Sequence, residues 1–434
     1  MNFRRIRTIL LCLISVVLAS CGSKGGGGGG DANIRVVNVI PDAATISVQL
    51  DTDTPLVTGL PFQGMTGYLS TKSGQREFKV SANNGTSFAI DTTLNIASSH
   101  YTYLVYNPVA QAAASLILED NLATPNTGTF NFRVINVAAG IGPVDVYLTP
   151  PGTDLASTSP NIANAPIGSA SAFVGVNAGT YELRITAAGT KDVIFDTGVQ
   201  TFANQASYQA VIFTKGSARL VNVALLTLDG SGTGQFLDNL LAEFKVLNAS
   251  SVSSPLNVLV EGNIVLSNIP FAGISNYVTT TAGSHNFSVQ ATATPGANLL
   301  TLVATLASAT DTSIAISGPA GALVALVLTD NNLPPAAGRA RVRFANVSPG
   351  LGALDVYVNF SKQISGLANN SGSSYIEVTA DATIGTAYEF DFNLAGTTTP
   401  VLKMPSVAII AGHTYTIYVV GPSTAPQGVV AKDD

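Results

Sequence analysis

The chain is written in short runs of apolar residues broken every few positions by Gly, Pro, Asn and Ser. "IRVVNVIPDAATISVQL" from Ile34 and "VRFANVSPGLGALDVYV" from Val342 are typical, each with a β-rich run, a turn-like connection and a second run. The runs are rich in Val, Ile, Thr, Tyr and Phe and often alternate apolar with polar residues, as strands with one buried face do. No long segment carries apolar residues at helical spacing. The pattern predicts an all-β protein.

The pattern also repeats. "FRVINVAAGIGPVDVYL" from Phe132 and "FKVLNASSVSSPLNVLV" from Phe244 align with the two segments above without a gap. The first run of each copy ends in Asn38, Asn136, Asn248 or Asn346, roughly 100 residues apart. Nine positions later stands a small polar residue, Ser47, Asp145, Asn257 or Asp355, and a valine follows it every time. Further on, "GLPFQGMTGYLSTKSGQREFKV" matches "NIPFAGISNYVTTTAGSHNFSV", with Phe173 in the place of Tyr68 and Tyr277. Later strands include "HYTYLVY", "SYQAVIF" and "HTYTIYVV", in which Tyr101, Tyr208 and Tyr415 resemble the tyrosine corner of β-sandwiches.

About seven strands per repeat predict four tandem immunoglobulin-like β-sandwiches, at residues 33–124, 129–232, 240–334 and 340–434. The joints, such as "LATPNTG" and "NNLPPAAG", are short and contain proline, which predicts a semi-rigid string of domains. "DGSGTG" from Asp229 reads as a turn between domains. On the "RVVN…SPG…LDVYV" start, the "GYL…AG" middle and the "HTYTIYVV" strand, the repeats resemble the bacterial family called domain of unknown function 4397. The resemblance implies exported, often surface-attached β-domains; it implies no reaction, ligand or catalytic residue.

The N-terminus is of another kind. "MNFRRIRTILLCLISVVLASC" has a basic start and an apolar run from Ile9 to Ala19, too short to span a bilayer and suited to a signal peptide. Leu18-Ala19-Ser20-Cys21 resembles the bacterial lipobox, so residues 1–20 are expected to be a lipoprotein signal peptide. That resemblance implies acyl chains on Cys21, enough for stable anchoring when two or more are attached. Gly22 after the cysteine points to the outer membrane of a diderm host by the same resemblance. Residues 21–32 then form the lipidated end and a Gly-rich leash.

Composition narrows the function. Charged residues are 11% of the chain against a typical ~25%, and the formal charge is −6. A surface so poor in Lys and Arg excludes nucleic acid as a partner. The only cysteines are Cys12 and Cys21, so the repeats hold no disulfide and no thiolate metal site.

Asp51 and Asp53 lack EF-hand spacing. His100, His285 and His413 have no ligand cluster near them in sequence, and neither a nucleophile elbow nor an HExxH motif occurs. No catalytic residue, cofactor or metal site is therefore expected. A feature repeated four times serves a shared fold better than a unique active site, so the recurrent Asn residues and their partners are read as turn-forming. The reading is a non-enzymatic, lipid-anchored cell-envelope protein whose domains meet an unknown protein or glycan partner. A carbohydrate- or ion-binding module is the alternative, and a hydrolase a more remote one.

Overall fold

The computed structural model describes residues 30–52, 54–120 and 123–434. The expected signal peptide at residues 1–20, Cys21, the run of glycines up to Gly29, and Asp53 lie outside the described residues. The described residues form eight sheets in four two-layer units, and strands dominate throughout.

In the first unit one sheet carries the strands Asp31–Asn38, His100–Tyr106 and Ala114–Glu119, with the short strands Gly64–Met65 and Leu69–Lys72 along its edge. The other sheet is built from Thr45–Leu50, Thr54–Pro61, Gly74–Ala82 and Phe88–Ile96. The first strand runs parallel to the late tyrosine strand, Ile34 beside Tyr101. The other three units repeat this pairing, with Phe132 beside Tyr208, Phe244 beside Thr312 and Val342 beside Tyr415. In an immunoglobulin constant domain the first strand lies in the sheet of the second, fourth and fifth. Here it lies in the sheet of the last two, and the order differs accordingly.

Each unit has its own core between its sheets. Ile34, Val36, Val48, Phe78 and Tyr103 centre the first, and Phe344, Val356, Phe390 and Ile417 the fourth. Tyr101, Tyr208 and Tyr415 close the ends: their hydroxyls accept hydrogen bonds from the N–H groups of Ala97, Ala203 and Ile410.

The sandwiches do not form a string. Two further apolar clusters lie between units. Val37, Val39 and Leu104 of the first pack against Ile135, Val211 and Phe213 of the second. Leu247, Ala249 and Ala315 of the third pack against Ala345, Tyr418 and Val420 of the fourth. Residues alternate across a strand, so Ile34 and Val36 enter the core while Arg35, Val37 and Val39 face the neighbouring sandwich. Burial on both faces explains why the first strands read as near-continuous apolar runs. The molecule is thus two face-to-face pairs, with the other sheet of each sandwich facing outward.

"DGSGTG" also departs from expectation. It joins Asn222–Thr227 to the added strand Gly234–Leu237 as a hairpin inside the second sandwich. Gly232, at φ +74°, comes so close to the first sandwich that a Cβ would meet the Tyr68 backbone nitrogen at 2.8 Å.

Candidate functional site: the seams between paired sandwiches

Three residues before each repeated asparagine stands a cation: Arg35, Arg133, Lys245 and Arg343. Strand geometry puts each on the face turned towards the partner sandwich. Each lies over an aromatic ring just before the strand alongside, at 5.3 Å from the Tyr68 centroid for Arg35, 4.5 Å from Phe173 for Arg133, 4.6 Å from Tyr277 for Lys245 and 4.8 Å from Tyr375 for Arg343. Its neighbour on the parallel strand is Thr102, Gln209, Ser313 or Thr416.

Carboxylates complete the seams. Between the third and fourth sandwiches the pairs cross reciprocally. Lys245 Nζ lies 2.5 Å from Asp433, and Arg343 Nη2 lies 2.5 Å from Asp330. Arg343 also donates to Thr416 Oγ1 at 2.9 Å and to the Thr329 carbonyl at 3.0 Å. Asp330 accepts further bonds from the Tyr277 hydroxyl and Ser313.

The first pair uses the same parts differently. Asp120 meets Arg35 of its own sandwich at 3.2 Å and Arg133 of the next at 3.8 Å. Arg35 crosses by donating to the carbonyls of Thr227 and Thr233.

Burial sets the electrostatics. It raises the carboxyl groups of Asp120 and Asp433 above the ordinary range, although Arg35 and Lys245 pull the other way. It lowers Arg133. Burial also disfavours charge on Arg343, but Asp330 and its neighbours outweigh that and hold the guanidinium charged. Tyr277 is pushed far up by burial and by Asp330, so its hydroxyl stays a donor. Asp311 of the third sandwich, which accepts from the Ala218 N–H of the second and from the Asn332 amide, is pushed up to about 6, chiefly by burial. These groups bond one another across the seams and lock them, although Asp120 Oδ1 and Asp311 Oδ1 are buried without a hydrogen-bond partner.

The four repeated asparagines are fully buried. Asn38, Asn136 and Asn248 accept from the N–H two residues on, at Ile40, Ala138 and Ser250. The amides of Asn38, Asn136, Asn248 and Asn346 donate to the carbonyls of Leu60, Gly142, Ile269 and Gly352. The polar residues nine positions on are not their partners. Ser47, Asp145, Asn257 and Asp355 accept from the N–H of Gly59, Asn164, Asn268 and Gly366, which sit at β-bulges with φ between +52° and +66°. The offset of nine therefore joins two separate devices, a turn and a bulge clamp.

The remaining candidates stay apart. Asp51 binds Arg76 and the Glu77 N–H, and that N–H bond above all lowers its carboxyl. The His100 ring stands edge-on to Tyr68, His285 Nε2 lies 2.7 Å from the Thr281 carbonyl, and His413 Nδ1 lies 3.0 Å from Asp434. Among the described residues no group of three or more His, Cys, Asp or Glu side chains is placed to hold a metal ion. The recurrent cation was missed in the sequence, although a charge at one fixed position in four apolar runs was its signal.

Each seam opens at one end. A cavity of about 700 Å³ at the first is lined by Tyr68, His100, Asp120, Ser207 and Asp229. A more apolar one of about 540 Å³ lies between the third and fourth sandwiches, away from the charged cluster.

Fold and seams define a tandem β-sandwich protein whose domains associate in pairs through buried ion pairs. The chain belongs to the family described as domain of unknown function DUF4397, whose model matches residues 32–147, 242–357 and 345–434. Residues 148–241 lie outside those matches, yet most of them fold into the second sandwich. No curated protein matches the chain.

Among solved structures, the chain is similar to a family 41 carbohydrate-binding module from streptococcal virulence factors, described as recognising alpha-glucan. Identity is 11% over 44% of this chain and 96% of that one, with a TM-score of 0.17. A family 26 module from Eubacterium rectale, in complex with maltoheptaose, gives 11% identity over 42% and 91%, TM-score 0.15. The Bacillus anthracis TIE protein gives 10% over 93% and 76%, TM-score 0.15. Likenesses this weak carry no inference about ligand.

Proposed function

We propose that this is a non-enzymatic, lipid-anchored protein of the cell envelope, held in the outer membrane by acyl chains on Cys21. Its paired sandwiches present outward-facing sheets to an envelope protein or glycan. One observation carries the reading: the polar residues repeated in all four sandwiches are engaged inside the fold, in turns, bulges and seams. Recurrence thus serves architecture, and recognition is left to the outer sheets and seam ends. The lipobox and the glycine run supply the anchor and the leash.

Two tests separate anchor from partner. Labelling with radioactive palmitate should mark the wild type and not Cys21→Ala, and globomycin should accumulate a precursor. A labelled Cys21→Ala protein overturns the anchor. For the partner, residues 30–434 are used as bait on envelope extract, beside versions lacking the first pair or the second. Whole pairs are removed because deleting one sandwich would bare the apolar seam of its neighbour. Capture that follows one pair supports a binding surface, and turnover of an envelope substrate by purified protein would sink the non-enzymatic reading.

A further inference from the structure

We infer that the cleft between the third and fourth sandwiches binds an uncharged small molecule carrying a ring. The two seams differ at matching positions, and that difference is independent of the lipid anchor. In the first pair, Phe62 stands edge-on to Phe213 of the partner sandwich at 6.0 Å, and Phe236 stands edge-on to Phe213 at the same distance. Three rings close that end of the seam.

In the second pair Phe271 takes the place of Phe62, but Val420 takes that of Phe213. The opposing ring is gone. Phe271 is left 40% exposed on the wall of the 540 Å³ cavity.

The remaining walls suit a ring. Pro319, Pro349 and Pro422 line the cavity with rigid pyrrolidine faces, and Ser251 and Ser423 add hydroxyls. Among the described residues no ionisable side chain lines it, so a charged ligand would lose hydration without gaining a partner. A flat apolar face can stack on Phe271 while a neutral polar substituent meets the hydroxyls, the combination that ligand pockets of this size use. Proline walls cost little ordering entropy on binding.

The test is a fluorescence titration of residues 30–434 with N-phenyl-1-naphthylamine, an uncharged probe with fused rings. Saturable binding at one site per chain is expected. Phe271→Ala should weaken it by about tenfold through loss of the stacking wall, and Ser423→Phe, at an exposed position, should fill the site and abolish it. Phe88→Ala, at a 46% exposed ring on the first sandwich, should leave it unchanged. Circular dichroism and melting of each variant confirm that the fold persists. The inference is overturned by absent or unsaturable binding, by binding that both cavity variants leave intact, or by equal affinity for the anionic analogue 8-anilino-1-naphthalenesulfonate.

Discussion

Replacing Arg343 by methionine probes the second seam directly. The side chain is buried and gives hydrogen bonds to Asp330, Thr416 and the Thr329 carbonyl. Methionine keeps much of the aliphatic volume over Tyr375 but removes every donor. Asp330 keeps the Tyr277 and Ser313 hydroxyls, at 2.6 and 2.7 Å, but loses the cation that bonds it directly. Removing one partner of a buried pair costs about 3–5 kcal/mol, because the other charge stays buried. For a cooperative unit of about 200 residues, that lowers the melting temperature by roughly 6–20 °C. Differential scanning calorimetry of residues 30–434 would show the loss in the transition of the second pair alone. The double variant Arg343→Met, Asp330→Asn removes both charges and should recover part of the loss, a coupling of about 1–3 kcal/mol. Lys72→Ala provides the contrast: its partner is Asp31, its side chain is 67% exposed, and its loss should cost less than about 1 kcal/mol. A loss below about 1 kcal/mol for Arg343→Met would refute the claim that the ion pair locks the seam.

Two further outcomes follow from single residues. Because the folded-state pKa of Asp311 is raised to about 6, the folded state holds a proton that the unfolded state has released above 3.8. Its contribution to stability therefore falls as pH rises from about 4 to 6, by up to about 3 kcal/mol; urea unfolding of Asp311→Asn should show a shallower fall over that range, the buried Asp120 and Asp433 supplying the rest, and an unchanged slope would refute it. At the bulge of the fourth sandwich, Gly366 has φ +66° and open space around its Cα. Gly366→Asn should be nearly neutral, as Asn164 and Asn268 already fill this position, whereas Gly366→Val should cost about 1–2 kcal/mol by thermal melting; equal effects would refute the strain argument.

The strands, the fourfold repetition and the turn role of Asn38 could be read from residue order because they depend on local chemistry and short-range periodicity. Pairing of the sandwiches could not be read in the same way. A strand buried on one face alternates, but "IRVVNVI" does not, and a near-continuous run fits one deep core as well as two shallow ones. The distinguishing mark was Arg35 and its three counterparts. A cation inside such a run must find a ring and a carboxylate, and those come from segments 13 to 188 residues away. "DGSGTG" misled for a related reason: its glycines signal a turn, but whether a turn ends a domain depends on where the next strand pairs.

The buried charges bear on which sandwiches pair. The apolar faces of Val37 and Leu104 or of Leu247 and Ala315 would accept any similar surface, since apolar contact is non-directional. The polar groups discriminate. Lys245 finds its carboxylate on the fourth sandwich, and Arg343 finds its own on the third. Asp120 of the first faces Arg133 of the second. Exchanging partners would leave cations or carboxylates buried without these acceptors and donors, a cost that penalises wrong pairs more than it stabilises right ones. Correct pairing in turn fixes the outer sheets on opposite sides of each pair. The chain therefore presents its outward surfaces in fixed couples that face opposite ways.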